Sequence, residues 1–376
     1  MKNYRNDFPI LEYKTMLSSC SQSAMSKQVL SSLEDYQKSL VESGMDWERW
    51  MEITNLAKAK FAALINCNPS EVAILGSVSD CISSILHALP LSGKEVVTTE
   101  MDFPCIGQSI LAQQKRQDFN IKFIPSEDNI IPIDHYRTYV NEDTAITCIP
   151  HVSFYNGFKQ DLKAISNLVH AKGSLLFVDA YQSAGSVSID VKRDNIDILV
   201  AGMQKYLLGI PGIAFMYVKK ELAESLEPST IGWFGQKDVF SFQFNRLEYG
   251  NSAQRFNTGT PPVINGYVAN AALDYILSIG MDTIEERLTN LSRFTVQEAL
   301  NLGLQLHSPV SIDNKGPSTA IYCGNSNLME QLLRDKGFIL SARKDVIRLA
   351  PHIYNNEDDI IRALNTIKFF LPKTMT

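Results

Sequence analysis

The segment FVDAYQSAGSVSIDVKRDNIDILVAGMQKYLLGIPGIAFMYV, residues 177–218, decides how this chain folds. It contains the end of the run SLLFV and the run DILV, which are apolar throughout, as is typical of strands covered on both faces. Asp179 directly follows the first run, and Lys205 follows the second by a few residues. Ligands of open parallel sheets bind at the carboxyl ends of the strands, so the two side chains are predicted to share a site.

Outward from this segment, β-rich runs alternate with helical stretches between about residues 70 and 260. Further strands are predicted at VAIL (72–75), EVVTTE (95–100), IKFIP (121–125), AITCIP (145–150) and IAFMYV (213–218), and helices at 80–89, 106–117, 161–171 and 220–226. Strands spaced by helices indicate βαβ units. We therefore predict an α/β fold with a mostly parallel central sheet and helices on both faces.

The two ends of the chain have a different pattern. Residues 25–65 are predicted to be helical, and TGTPPVING (258–266) is rich in turn formers and marks a domain boundary. Beyond it we predict one or two long helices over 267–302, strands at 320–324 and 346–350, and helices at 327–336 and from residue 357. The predicted organisation is an N-terminal arm of the small domain (1–50), a large domain (51–262) and a small α+β C-terminal domain (263–376).

Composition narrows the class of protein. The chain has 376 residues, 45% of them hydrophobic, and a net charge of −6, which argues against nucleic acid or an anionic membrane as its main partner. Its N-terminus lacks the apolar core of a signal peptide, and no run is long enough for a transmembrane helix. The six cysteines are scattered, so free thiols in a cytoplasmic protein are expected, without a metal site.

Asp179 and Lys205 predict a specific chemistry only when they are considered together. Alone, Asp179 is explained by a turn or helix cap and Lys205 by a solvated loop. Together they meet the needs of a pyridoxal 5'-phosphate (PLP) enzyme, in which a lysine amine forms a Schiff base and a carboxylate keeps the pyridinium nitrogen protonated.

Residues 177–218 resemble the core of the class V, fold type I PLP enzymes, and the resemblance extends from about residue 70 to 360. It implies that Asp179 pairs with the ring nitrogen and that Gln182 hydrogen-bonds the ring hydroxyl or the imine side of the ring. It also implies that Lys205 forms the Schiff base and shuttles protons. Gln204 stands where many members have histidine, and a donor there can reach the cofactor phosphate.

Other segments carry the same resemblance. GSVSDCISSIL (76–86) is similar to the phosphate loop that opens a helix, whose free N–H groups favour a dianion, and this implicates Ser77, Val78 and Ser79. TTEMDFPCIGQSI (98–110) implies that Phe103 stacks on the pyridine ring. HVSFYNGFKQDL (151–162) implicates Ser153 and leaves the roles of His151 and Tyr155 open.

The C-terminal half implies a partner and a substrate. RFNTGTPPV (255–263) resembles a segment whose threonine reaches the phosphate of the neighbouring subunit, so Thr260 implies a homodimer. VIRLAPHIYNNEDDI (346–360) resembles the motif whose arginine binds the substrate carboxylate, which is Arg348 here. The planar guanidinium of an arginine suits a bidentate contact with a carboxylate. The alternative for Arg348 is a structural salt bridge with an acid of NNEDD.

These features predict an amino-acid enzyme, with an aminotransferase as the first choice. A Cβ lyase (cysteine or selenocysteine lyase-like), an epimerase and a kynureninase-like hydrolase stay open. FILSARKDVIRLAP (338–351) lacks the cysteine of persulfide-forming desulfurases, which disfavours that activity. A non-catalytic PLP binder is the least favoured reading, and a nucleotide enzyme lacks its glycine motifs.

Overall fold

A computed structural model describes residues 4–375 of the chain. In chain order its strands and helices are β1 (Thr15–Met16), α1 (Lys27–Glu42), α2 (Trp47–Leu64), β2 (Val72–Leu75), α3 (Val78–Ala88), β3 (Glu95–Thr99), α4 (Pro104–Gln114), β4 (Asn120–Ile124), α5 (Ile133–Tyr139), β5 (Thr144–Pro150), α6 (Leu162–His170), β6 (Leu175–Asp179), β7 (Ile198–Gly202), β8 (Ala214–Val218), α7 (Lys220–Ser225), α8 (Val263–Ile279), α9 (Met281–Asn301), β9 (Thr319–Tyr322), α10 (Ser326–Asp335), β10 (Phe338–Ile339), β11 (Ser341–Arg343), β12 (Val346–Leu349) and α11 (Glu357–Thr374).

The main sheet has seven strands in the order β2-β8-β7-β6-β5-β3-β4. All neighbours from β7 to β4 run parallel, and β8 is antiparallel to both β7 and β2. Every residue of β7 and β8 is buried, as expected for strands covered on both faces. The predicted α/β fold with a mostly parallel sheet is confirmed.

Two predicted helical regions are each divided in the structure. The region 25–65 forms α1 and α2, with Gly44 between them at φ +69°, and the region 267–302 forms α8 and α9, separated by Gly280 at φ +87°. A glycine adopts this left-handed conformation at little cost, and a helix ends there. The seven-residue α5 and the short β10 and β11 were not predicted, because such short elements carry too little periodicity.

The N-terminal segment packs onto the C-terminal part of the chain. β1 pairs in parallel with β10, and Ser18 forms a bridge with Ala350. These contacts support a small domain built from both ends, while α1 and α2 pack against α8. The boundaries near residues 50 and 262 stay predictions. No helix within residues 4–375 combines the length and apolarity needed to cross a membrane.

Candidate active site

A cavity of about 290 Å³ lies at the carboxyl ends of the parallel strands. Pro150 ends β5, Asp179 ends β6, and Lys205 follows β7 by three residues, so the sheet itself brings these positions together. The start of α3 and the β11–β12 hairpin supply the opposite walls. This placement is the one that the parallel topology predicts.

Asp179 is buried at the base of the cavity, with 6% of its surface exposed. Its Oδ1 accepts a hydrogen bond from the Tyr181 backbone N–H at 2.8 Å, and no other hydrogen bond to its carboxylate is found among the described residues. Burial raises the pKa of Asp179, and the nearby Lys205 opposes that rise. A cationic or N–H partner in the cavity would hold this carboxylate in its charged form.

Lys205 extends its amine between two aromatic rings. The Nζ atom lies 4.1 Å from the ring centre of Tyr181 and 5.5 Å from that of Phe103. Burial lowers the pKa of Lys205 to about 8, although the carboxylate of Asp179 acts in the opposite direction. A substantial fraction of the amine is therefore neutral near pH 8 and able to act as a nucleophile or base.

The N-terminus of α3 forms the end of the cavity suited to an anion. Ser77 caps the helix by accepting from the Asp80 N–H at 3.2 Å, and Val78 and Ser79 form its first turn. Amide groups at this position have no helical acceptor and attract anions. The Asp80 carboxylate accepts a hydrogen bond from the Ser77 hydroxyl at 2.8 Å and lies outside the cavity lining.

Two glutamines line the cavity and differ in how they are held. Gln182 donates from Nε2 to the Cys20 carbonyl at 2.9 Å, while its buried Oε1 has no partner among the described residues. Gln204 accepts from the Tyr181 hydroxyl at 2.8 Å. A buried acceptor without a donor is costly, so the Gln182 amide has unmet hydrogen-bonding capacity beside the cavity.

Phe103 lines the cavity and is a partly exposed aromatic ring. It is 38% exposed and packs edge-on against Phe154, with ring centres 5.1 Å apart. One face of a large apolar ring is thus available to another flat ring. The lone carboxylate acceptor, the lysine amine, the helix N-terminus and this ring fit the predicted cofactor.

Arg348 is buried in the cavity wall, with only 1% of its surface exposed. Its guanidinium donates to the Phe154 carbonyl at 2.6 Å and to the hydroxyls of Ser21 and Ser341 at 2.9 and 2.7 Å. No ion pair of Arg348 occurs within residues 4–375. The acids of the NNEDD stretch pair with other arginines, Glu357 with Arg287 and Asp358 with Arg362. The alternative of a structural salt bridge with that stretch is therefore wrong.

Some predicted site residues are not in the cavity. Ser153 is buried behind it and its hydroxyl accepts from the Tyr155 N–H at 3.3 Å. Thr260 is exposed and lies outside the lining. His151 directly follows β5 and is buried, and burial lowers its pKa to about 3. Ser153 does not line the cavity, whereas its neighbours Val152 and Phe154 do, and its contact with the cofactor stays a prediction.

Other lining residues were missed by the sequence reasoning. Cys20 and Ser21 come from the N-terminal segment, Arg343 from the β11–β12 hairpin, and Tyr181 from the same turn as Asp179. The Tyr181 ring lies against Gly202, where any Cβ would collide with it. Tyr181 lies in the segment 177–218 and Arg343 in the segment 338–351. The available signal was that each is a polar residue next to a recognised motif residue.

Comparisons with known proteins show the family of the chain. A sequence model of the family Aminotransferase class-V matches residues 16–342. The chain is 42% identical to an uncharacterized aminotransferase, YcbU, of Bacillus subtilis (strain 168), over 97% of each chain. It is 25% identical to a kynureninase of Deinococcus radiodurans, over 84% of this chain and 77% of that protein. The fold matches a cysteine desulfurase of Thermococcus onnurineus NA1 with a TM-score of 0.90, 18% identity and 99% coverage of each chain.

Proposed function

The chain belongs to the aminotransferase class-V family and is a PLP-dependent enzyme acting on an amino acid, and we propose that it transfers the amino group to a keto acid. The observation that carries the proposal is that Asp179 ends β6 and Lys205 follows the adjacent parallel strand β7, in one cavity with a buried Arg348 that forms no ion pair among the described residues. The lack of a cysteine in residues 338–351 supports transamination over persulfide formation.

We assign the cofactor contacts as follows. The first-turn amides of α3, with Ser77, Val78 and Ser79, hold the phosphate, and the side-chain amide of Gln204 lies within the same cavity to assist. Phe103 would cover one face of the ring, and the side-chain amide of Gln182 would hydrogen-bond the ring hydroxyl oxygen or the imine side of the ring. PLP, when bound, supplies an electron sink for the electrons released at the substrate α-carbon.

Lys205 and Asp179 are the two residues that we assign to the chemical step. The Lys205 amine carries the cofactor and then moves a proton at the substrate α-carbon, a task suited to a base with a pKa of about 8. The Asp179 carboxylate holds a proton on the ring nitrogen, and burial strengthens this ion pair by excluding water. Tyr181 keeps the amine in place through its ring.

Arg348 supports an amino acid as substrate. Its Nη2 donates to two serine hydroxyls and its Nη1 to the Phe154 carbonyl, and no carboxylate of the described chain neutralises it. A planar α-carboxylate would satisfy both the charge and the fork of the guanidinium. This contact fixes the α-carbon relative to Lys205.

We further propose a cytoplasmic homodimer in which Thr260 reaches the phosphate site of the partner subunit. Its support is the exposure of Thr260, whose neighbours Gly259 and Pro261 line one surface groove with Phe240 and Phe242, rings exposed by 71% and 72%. Apolar surfaces of this kind are typical of protein interfaces. Sedimentation at several concentrations tests the dimer, and Thr260→Val should weaken PLP binding without changing the mass.

A panel of amino acids, assayed with and without a keto-acid acceptor, tests the activity. Turnover that requires the acceptor supports the aminotransferase. Pyruvate formed without an acceptor identifies a Cβ lyase, and loss of optical activity alone identifies an epimerase. Release of an aromatic acid from kynurenine identifies the hydrolase, and any of these three results refutes transamination.

A further inference from the structure

We propose that the substrate is an amino acid whose side chain ends in an anionic group, and that Arg343 binds that group. The inference rests on the proposed function, because it requires Arg348 to hold the α-carboxylate. It deepens that function by naming the class of substrate.

The charges that line the cavity are unbalanced. Among the described residues of the lining there is one carboxylate, Asp179, and there are three cationic groups, those of Lys205, Arg343 and Arg348. Asp179 and Lys205 are close enough to shift each other's pKa, and both belong to the cofactor end. The two arginines are left at the substrate end, and neither forms an ion pair with the part of the chain that the structure describes.

Arg343 has no acidic partner within residues 4–375. Its guanidinium donates from Nη1 to the Ala342 carbonyl at 2.8 Å, and the side chain is exposed at the mouth of the cavity. The nearby carboxylate of Glu330 is already engaged by Arg334 at 2.6 Å and by the Ala342 N–H at 2.7 Å. Asp345 accepts from the Tyr155 hydroxyl at 2.8 Å.

The hairpin places the two arginines side by side. Ser341 pairs with Arg348 across β11 and β12, and Arg343 lies two residues along β11 from Ser341, on the same face. Diagonal neighbours of this kind are about 7–8 Å apart on one face of a sheet. Two long side chains from such positions can hold the two ends of a small dianionic molecule between them.

The hairpin is also fixed against the cavity wall. The Tyr155 hydroxyl contacts both Asp345, at 2.8 Å, and His307 Nδ1, at 2.7 Å, and so ties the turn after Arg343 to the loop that carries Phe154. A positioned guanidinium presents two parallel N–H donors to a carboxylate, sulfinate or phosphate group. These anions share the recognition chemistry, and the assay separates them.

The test compares acids with their neutral isosteres in the holoenzyme. L-Aspartate and L-glutamate are compared with L-asparagine and L-glutamine, and L-cysteine sulfinate and phosphoserine report which anion fits. The wild type should favour the acids, and Arg343→Gln should lower kcat/KM for the best acid by about 10- to 1,000-fold, as expected for loss of a charge-assisted contact. The amides should change little, and Arg343→Lys should recover part of the loss.

Lys344→Gln is the matched control. Lys344 is the next residue, is also exposed, and places its ammonium over the Tyr155 ring at 5.4 Å, outside the cavity lining. The variant removes the same charge and should leave the ratio of acid to amide unchanged. An equal loss of kcat/KM for the acid in both variants would overturn the assignment. Such a result would reflect the overall positive charge at the cavity mouth and not a direct contact between Arg343 and the substrate.

Binding of inert ligands provides a second readout. Succinate should bind the holoenzyme more tightly than succinamate in calorimetry, and Arg343→Gln should remove that preference. The inference is wrong if neutral amino acids are the best substrates and both ligands bind alike, or if Arg343→Gln instead dissociates a dimer. In those cases the proposed transamination still stands. Failure of every amino acid to react, by contrast, refutes the proposed function itself.

Discussion

Replacing Arg348 tests whether the buried guanidinium binds the α-carboxylate. In Arg348→Ala the substrate carboxylate would enter the cavity without its fork of donors. Truncating one member of a buried, hydrogen-bonded charge pair costs about 2–5 kcal/mol. At about 1.4 kcal/mol per factor of ten, this is a fall in kcat/KM of roughly 30- to 4,000-fold.

The structure also predicts what the same change does to stability. Ser21 and Ser341 already lie 2.7 Å apart, so their hydroxyls can pair with each other once the guanidinium is gone. The Phe154 carbonyl then becomes the main unsatisfied acceptor, at a cost of about 1–3 kcal/mol. The variant should therefore fold, with a lower Tm, and keep its cofactor.

Three variants separate binding from structural support. Arg348→Lys keeps the charge and loses the fork, so it should recover only part of kcat/KM. Ser341→Ala keeps the guanidinium and removes one of its partners, and should cost much less than either arginine change. The assay is kcat/KM on the best amino acid, together with Tm and the visible absorbance of the bound cofactor. A folded, cofactor-loaded Arg348→Ala enzyme with near-normal kcat/KM would refute the carboxylate assignment.

Three further predictions address the cofactor and the fold. Asp179→Asn should keep bound PLP but lower kcat by about 10²–10³-fold, since an amide cannot stabilise the pyridinium charge; near-normal kcat would mean that the ring need not be protonated. Uptake of PLP by the apoenzyme should quicken as pH rises through about 8, because the Lys205 amine becomes neutral there, and a midpoint near the ordinary lysine value of 10.5 would contradict this. Burial lowers the pKa of Lys315 to about 7, so the unfolded chain binds the extra proton between pH 7 and 10.5 and stability should rise with pH over that range. Urea unfolding of Lys315→Met should lose that rise, and an unchanged slope would show that the four acceptors around the amine hold its charge.

Local pattern was sufficient to predict the sheet, whereas the roles at the cofactor end came from the resemblance to a known family and stay predictions. The runs that became β5, β6 and β7 are apolar and bounded by polar residues, and parallel topology then places Asp179 and Lys205 together. Ser77, Val78 and Ser79 could be found in the same way, because a serine cap at a helix start is a local signal.

Residues brought in from distant segments could not be predicted. Cys20 and Ser21 line the cavity only because β1 pairs with β10, a contact between two-residue strands that no periodicity marks. Ser153 lies outside the lining for a related reason, since a shift of one residue along the chain decides which side chain faces the cavity. Thr260 is exposed in one chain, so its predicted role depends on a partner and stays a prediction.

The hydrogen bond from Arg348 to Ser21 joins residues 327 positions apart. A chain emerging from the ribosome can complete the sheet that holds Asp179 and Lys205 long before the C-terminal hairpin exists. The carboxylate site, by contrast, closes only when the first and last parts of the chain meet, and contacts of such long range form slowly. Competence to bind substrate should therefore be acquired last in biosynthesis, and a chain lacking its final strands should be able to load cofactor before it can select an amino acid.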